Sequence, residues 1–177
     1  EWLAQLLKKW HGPALIDADG LNLLHPLLSE DVLERKHPWV LTPHPGEMAR
    51  LMGTTVQKVE EDRLGTARHL AQEKNVYLIL KGHRTVLASP EGELWINPRG
   101  HNALGKGGAG DILAGMTAAF MAQGASPLQA GIAAVYLHAL TGEQCALNKS
   151  TYGVVATDLL SHLGQALLSI MNINRSA

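Results

Sequence analysis

The chain has 177 residues, 46% of them hydrophobic and 18% charged, which is enough to bury the core of one globular domain spanning 1–177. Its net charge is −1, with Lys and Arg dispersed rather than gathered in a stripe, which argues against nucleic acid as a partner. A single cysteine, Cys145, excludes an internal disulfide framework. With no apolar run near the ~18 residues of a membrane span and no signal-peptide pattern, the expected compartment is the cytoplasm.

The first ten residues carry Trp2, Leu3, Leu6, Leu7 and Trp10 at helical spacing, so the chain opens on a helix already under way. That opening, at Glu1 rather than Met, is expected of a chain that continues a longer one. Ala14-Leu15-Ile16 reads as a buried strand that ends in Asp17-Ala18-Asp19-Gly20. Ligands of open α/β sheets sit beyond the carboxyl ends of strands, so Asp17 and Asp19 could serve a ligand. They could equally cap the short helix expected over 21–28. A second short helix is expected over 31–36, and a strand over 39–42. The turn Pro43-His44-Pro45-Gly46-Glu47 then leads into a helix over 48–52 and presents His44 at a strand end. A lone histidine is commonly a surface or packing residue; the rigid turn favours a site role.

One long amphipathic helix is expected over 56–75, with Val59, Leu64, Ala67, Leu70 and Ala71 facing inward and Glu60, Glu61 and Asp62 solvated. Residues 76–80 form a continuous apolar run that fits a fully buried strand. Lys81 follows at its carboxyl end, where it could meet a nucleotide phosphate or simply snorkel to the surface. A hairpin over 86–96, turning at Pro90-Glu91-Gly92, comes next. A polar loop leads to Gly107-Gly108-Ala109-Gly110-Asp111 and a helix ending at Gly124. Ser126-Pro127 opens a long Ala-rich helix to about Asn148 that carries His138, read as a satisfied core histidine, and Cys145, read as a buried structural thiol. Thr157-Asp158 caps a last helix over 159–170, and the tail over 172–177 frays. Strands alternating with helices predict a three-layer α/β/α sandwich with a mostly parallel sheet.

The stretch 107–111 carries the chemistry. A helix start has N–H groups without internal partners and partial positive charge, and glycines let an anion approach it closely. Asp111 at the lip of such a cradle suits phosphoryl transfer, as base for an accepting hydroxyl. Two lookalikes fail. Gly105, Gly107 and Gly110 satisfy G-x-G-x-x-G, but no strand ends at Gly105 and Ala130 stands where the Rossmann acid belongs, about 20 residues on. Gly105-Lys106 resembles the end of a P-loop, but Gly107 replaces its Ser or Thr. No zinc spacing is present.

Gly107-Gly108-Ala109-Gly110-Asp111 resembles the G-G-x-G-D signature of the ribokinase-like superfamily. With Asp17-Ala18-Asp19-Gly20-Leu21-Asn22, Thr42-Pro43-His44-Pro45-Gly46-Glu47, Lys81-Gly82-His83-Arg84-Thr85, Asn97-Pro98 and Ala156-Thr157-Asp158-Leu159, the order and spacing resemble the ADP/ATP-dependent NAD(P)H-hydrate dehydratases. The resemblance runs from about Ala14 to about Leu167. It implies repair of hydrated NADH or NADPH by phosphorylation of the ring hydroxyl and loss of phosphate. Asp111 would be the base, with His44, Asp17 and Asn22 on the substrate side. Lys81, Gly82, His83, Arg84 and Thr85, with Gly107, Gly108, Ala109 and Gly110, would hold the nucleotide. It further implies ADP or ATP as co-substrate and Mg²⁺ bridging phosphates, with no ligand residues assigned to the metal, and a homo-oligomer.

The family usually carries Asn where His101 stands, and its domain extends upstream of Glu1. Early strands of the sheet and part of the pocket are therefore expected in a missing N-terminal segment, with an epimerase domain as a further possible neighbour. A small-molecule kinase that keeps its phosphorylated product and a non-catalytic ADP/ATP-binding fragment are the alternatives.

Overall fold

The structure, a computed structural model, describes residues 2–28, 37 and 39–173. Helix α1 (Trp2–Lys9) precedes strand β1 (Ala14–Ile16), helix α2 (Asp19–Leu28) and strand β2 (Trp39–Leu41). Helices α3 (Pro45–Leu51), α4 (Val56–Glu61) and α5 (Arg63–Lys74) lead to strands β3 (Val76–Leu80), β4 (Val86–Ala88) and β5 (Leu94–Ile96). A short 3₁₀ turn (Asn102–Leu104) then precedes helices α6 (Ala109–Ala122), α7 (Pro127–Gly153) and α8 (Ala156–Ile173). The helix expected over 31–36 lies outside the described residues, as does the tail beyond Ile173. No helix among the described residues is long and apolar enough to cross a membrane.

The strands form one sheet in the order β1-β2-β3-β4-β5. β1, β2 and β3 are parallel, β4 pairs antiparallel with β3, and β5 pairs antiparallel with β4 to complete a meander. The sheet is thus mixed, because the hairpin supplies both antiparallel pairings. Side chains alternate strictly between its faces. Ile16, Trp39, Leu41, Val76, Leu78, Leu80, Val86 and Ala88 point to a core shared with α1 to α5. Val40, Ile79 and Leu87 point the other way, to a core shared with α6, α7 and α8. Period-two alternation with apolar residues on both faces is what a sheet between two helical layers requires. The three-layer sandwich follows.

Several boundaries differ from the sequence reading, each for a local reason. The helix expected over 56–75 is broken at Asp62 (φ −139°, ψ 71°), whose carboxylate accepts from Gly65 N at 2.8 Å and starts α5 afresh. Asp competes well for an N-cap, here at the expense of continuity. The break changes the facing of the segment: Val59, Ala67, Leu70 and Ala71 are buried, but Leu64 is 40% exposed. α2 begins at Asp19, two residues before the expected start. α8 begins at Ala156, and Asp158, in its first turn, accepts back from Val155 N at 2.9 Å rather than standing as the cap itself. Asp158 also accepts from Lys149 Nζ at 2.6 Å, and that hydrogen bond holds its carboxyl below the usual value. Cys145 is fully buried, and burial pushes its thiol pKa up.

Candidate functional site

The parallel half of the sheet places three chain segments side by side at one edge. Hydrogen bonds continue past the strand ends, from Thr42 N to Ile16 O at 3.2 Å and from Lys81 N to Pro43 O at 2.8 Å. Asp17, His44 and Lys81 therefore emerge from adjacent strands. The Lys81 ammonium lies 2.7 Å from Asp17 Oδ1 and 3.7 Å from Glu47 Oε2. The three side chains are only 17%, 11% and 7% exposed, so the cluster is well shielded from water. A Cβ on Gly110 would stand 3.3 Å from Lys81 Nζ, which places the cradle glycine directly against the ammonium.

His44 is the N-cap of α3. Its Nδ1 accepts from Gly46 N at 2.9 Å and Glu47 N at 3.3 Å, while Glu47 Oε2 accepts from His44 N at 2.7 Å, a reciprocal capping box. With Nδ1 used as acceptor, the neutral ring carries its proton on Nε2, 3.5 Å from Glu47 Oε1. Gly46 is what allows this cap, because a Cβ there would lie 2.8 Å from His44 Cε1. The imidazole is half exposed, at the rim of the Lys81 cluster.

The cradle opens on Gly108, at φ +87°, the N-cap of α6. A glycine has no side chain to cap with, and no side-chain cap bond is made here. A Cβ on Gly108 would sit 3.1 Å from the Ala156 Cβ, so the loop passes close beneath α8. Asp111 stands exposed in the first turn of α6, with Oδ2 4.0 Å from that same Gly108 position.

Beside the cradle lies a cavity of ≈ 400 Å³. One wall is the loop from Lys81 to Thr85, the floor includes Ala109 and Gly110, and the facing wall is the loop from Asn97 to Gly105. The structure thus gathers Lys81, Gly82, His83, Arg84, Thr85, Ala109 and Gly110 around one space, with Asp17 joined to it through Lys81. Gly107, Gly108 and Asp111 stand at the cradle beside it, outside its lining. Asn22 is not brought to the cavity: its Oδ1 accepts from Arg50 Nε at 2.9 Å on the exposed junction of α2 and α3.

Other residues here take parts in the site that spacing alone does not reveal. His138 lines the cavity and, 8% exposed, donates Nε2–H to Ala109 O at 2.9 Å. Burial pushes its pKa down, and the backbone bond to Ala109 opposes that shift in part. The expected core histidine is satisfied, and what satisfies it is the first residue of α6. Glu143, on α7, accepts from the Arg99 guanidinium and from Gly100 N at 3.2 Å, which holds the facing loop. That contact also keeps the Arg99 pKa up. His101 caps the 3₁₀ turn, with Nδ1 accepting from Ala103 N at 3.1 Å. An asparagine Oδ1 can accept the same kind of bond, so histidine there keeps the cap. Glu47 stood in the quoted motif without a role; its burial supplies one. Among the described residues, no group of three or more His, Cys, Asp or Glu side chains converges to hold a metal ion.

Residues 1–165 match the NAD(P)H-hydrate dehydratase family. The chain belongs to that family. It is 43% identical over 167 residues to the bifunctional NAD(P)H-hydrate repair enzyme of Moorella thermoacetica, covering 94% of this chain and 31% of that protein. The crystal structure of the ADP/ATP-dependent NAD(P)H-hydrate dehydratase of Bacillus subtilis, co-crystallized with ATP/Mg²⁺, superposes with a TM-score of 0.83 at 32% identity. That match covers 92% of this chain and 57% of the Bacillus chain. A ribokinase-like superfamily protein of Enterococcus faecalis superposes with a TM-score of 0.76 at 28% identity, over 95% of this chain and 57% of that one. The fold of this NAD(P)H-hydrate dehydratase family member is therefore ribokinase-like, and the chain spans about a third to somewhat over half of these longer relatives.

Proposed function

We propose that the chain carries the nucleotide site and catalytic base of an ADP- or ATP-dependent NAD(P)H-hydrate dehydratase. The observation that carries the reading is the convergence of Lys81, Asp17 and Gly110 at the mouth of a cavity walled by residues 81–85. The nucleotide's phosphates lie toward Lys81 and the open N-terminus of α6, where ammonium and helix dipole both favour negative charge. Asp111 accepts the proton of the ring hydroxyl as the terminal phosphoryl group transfers to it. The C–O bond of the new phosphate ester then breaks, the ring nitrogen's electron pair expelling phosphate, and loss of a proton from the adjacent ring carbon restores the dihydronicotinamide. His44 presents its Nε2 edge to the substrate at the rim.

Mg²⁺ in phosphoryl transfer takes one or two carboxylates and otherwise phosphate and water oxygens, so it needs no dedicated cage. Asp17 and Glu47, which already converge on one cation, fit it; the ion would neutralise phosphate charge. The hydrate pocket is completed by parts of the longer protein outside this chain, or by a second copy. The exposed Leu160, Leu167, Leu168 and Met171, spaced along one stripe of α8, support such a contact. The buried free thiol supports a reducing compartment such as the cytoplasm.

The test is recovery of dihydronicotinamide absorbance from NADH hydrate with ADP or ATP and Mg²⁺, using the full protein that carries this chain. Asp111→Asn is expected to lose at least ~10²-fold in rate while still binding nucleotide. Undiminished turnover in that variant rules Asp111 out as base. A product that retains its phosphate would make the protein a kinase instead.

A further inference from the structure

We propose that Arg63 is a positioning residue of the loop over 81–85, locking the backbone that carries Lys81 so that the ammonium stays against Gly110. The proposal rests on reading that loop as the nucleotide's wall. Arg63 is the first residue of α5, immediately after the Asp62 break. Its side chain is 15% exposed. Nη2 donates to the carbonyls of Leu80 and Lys81, both at 3.2 Å, and Nη1 donates to Glu60 Oε1 at 2.8 Å. Those carbonyls are the last of β3 and the first beyond it, where the sheet ladder runs out. A charged donor makes a stronger bond to such a carbonyl than a neutral one. From the other side, Lys81 N is held by Pro43 O. The backbone of Lys81 is thus gripped at both its amide and its carbonyl, and its side chain by Asp17.

Gly82 supplies an independent sign. A Cβ there would stand 3.0 Å from both Nη1 and Nη2 of Arg63, and the residue is at φ +142°. The bare α-carbon gives the guanidinium room to lie against the loop. A lysine in place of Arg63 has a single compact charge on a flexible stem and lacks the planar fork.

The experiment compares wild type, Arg63→Ala, Arg63→Lys and Glu60→Gln by amide hydrogen exchange without ligand and by titration calorimetry with ADP. Arg63→Ala is expected to speed exchange of the amides of residues 82–85 at least about tenfold, leave β2 and β3 protected, and raise the ADP Kd at least about tenfold. Arg63→Lys falls between, and Glu60→Gln stays within about twofold of wild type on both counts. Unchanged loop exchange in Arg63→Ala overturns the proposal. So does a loss of protection spread over β3, or a Glu60→Gln variant that reproduces the alanine effect. If wild type fails to bind ADP, the nucleotide reading fails, while the exchange data still decide whether Arg63 holds the loop.

Discussion

His138 shows what a single side chain does when its surroundings fix its protonation. Its ordinary pKa is 6.5, and burial lowers it in the folded chain, the backbone bond to Ala109 opposing this in part. In the window below 6.5 and above the lowered value, the unfolded chain binds a proton that the folded chain refuses. Stability therefore rises with pH through that window and is lost as pH falls. Denaturation midpoints measured from about pH 7.5 down to about pH 5.5 should drop in wild type and drop less in His138→Gln, which keeps a neutral donor. Lys81 is the opposite case, a charge that others depend on. Lys81→Met leaves Asp17 and Glu47, both largely buried, facing each other without a cation. The expected loss is about 2 kcal/mol or more, read from urea midpoints, together with weakened ADP binding.

At the scale of elements, spacing between helices is set by glycines as much as by side chains. α7 runs behind the cavity, and Gly142 on it faces Leu104, which lines the cavity. A Cβ at Gly142 would meet Leu104 Cδ2 at 2.5 Å and Cγ at 2.6 Å. Gly142→Ala therefore forces the Leu104 side chain to shift in the cavity wall; the expected cost is about 1–3 kcal/mol, with a matching loss of ADP affinity on calorimetry. No periodicity in the sequence announces this contact, because it joins a helix to an irregular loop. The strands were legible for the contrary reason: Ala14-Leu15-Ile16 and the run over 76–80 are short, apolar and flanked by turn residues. The break at Asp62 was not legible, since one Asp inside an otherwise helical pattern is ambiguous between a solvated face and a cap. That ambiguity hid Arg63, whose position follows from the break. His44 was legible as the junction of a strand and a helix, but the helix starts at Pro45 rather than after Glu47, and the capping bond of His44 to the Gly46 and Glu47 amides is a geometric fact that spacing does not carry.

Across the whole molecule, local motifs at distant positions converge because the sheet order brings their strand ends together. Asp17, His44, Lys81 and the 107–111 loop were legible as separate punctuation marks in the sequence. The ion pair between residues 17 and 81 was not, because it depends on which strand lies beside which. The convergence makes a molecule-wide prediction. If phosphates sit between Lys81 and the start of α6, ADP ties β1, β3 and α6 together and stabilises only the folded state. At a concentration of about 100 Kd, the linkage is worth about 2.7 kcal/mol, which for a domain of this size raises Tm by about 5–10 °C. Adenosine, which has no phosphate, should give little of that rise in thermal denaturation. With Asp111 proposed as base for the hydroxyl rather than as a nucleotide ligand, Asp111→Asn should keep the rise. Lys81→Met should lose most of it. An equal rise with adenosine and ADP would place the nucleotide's affinity in its base, and the phosphate reading of Lys81 and the α6 cradle would be wrong.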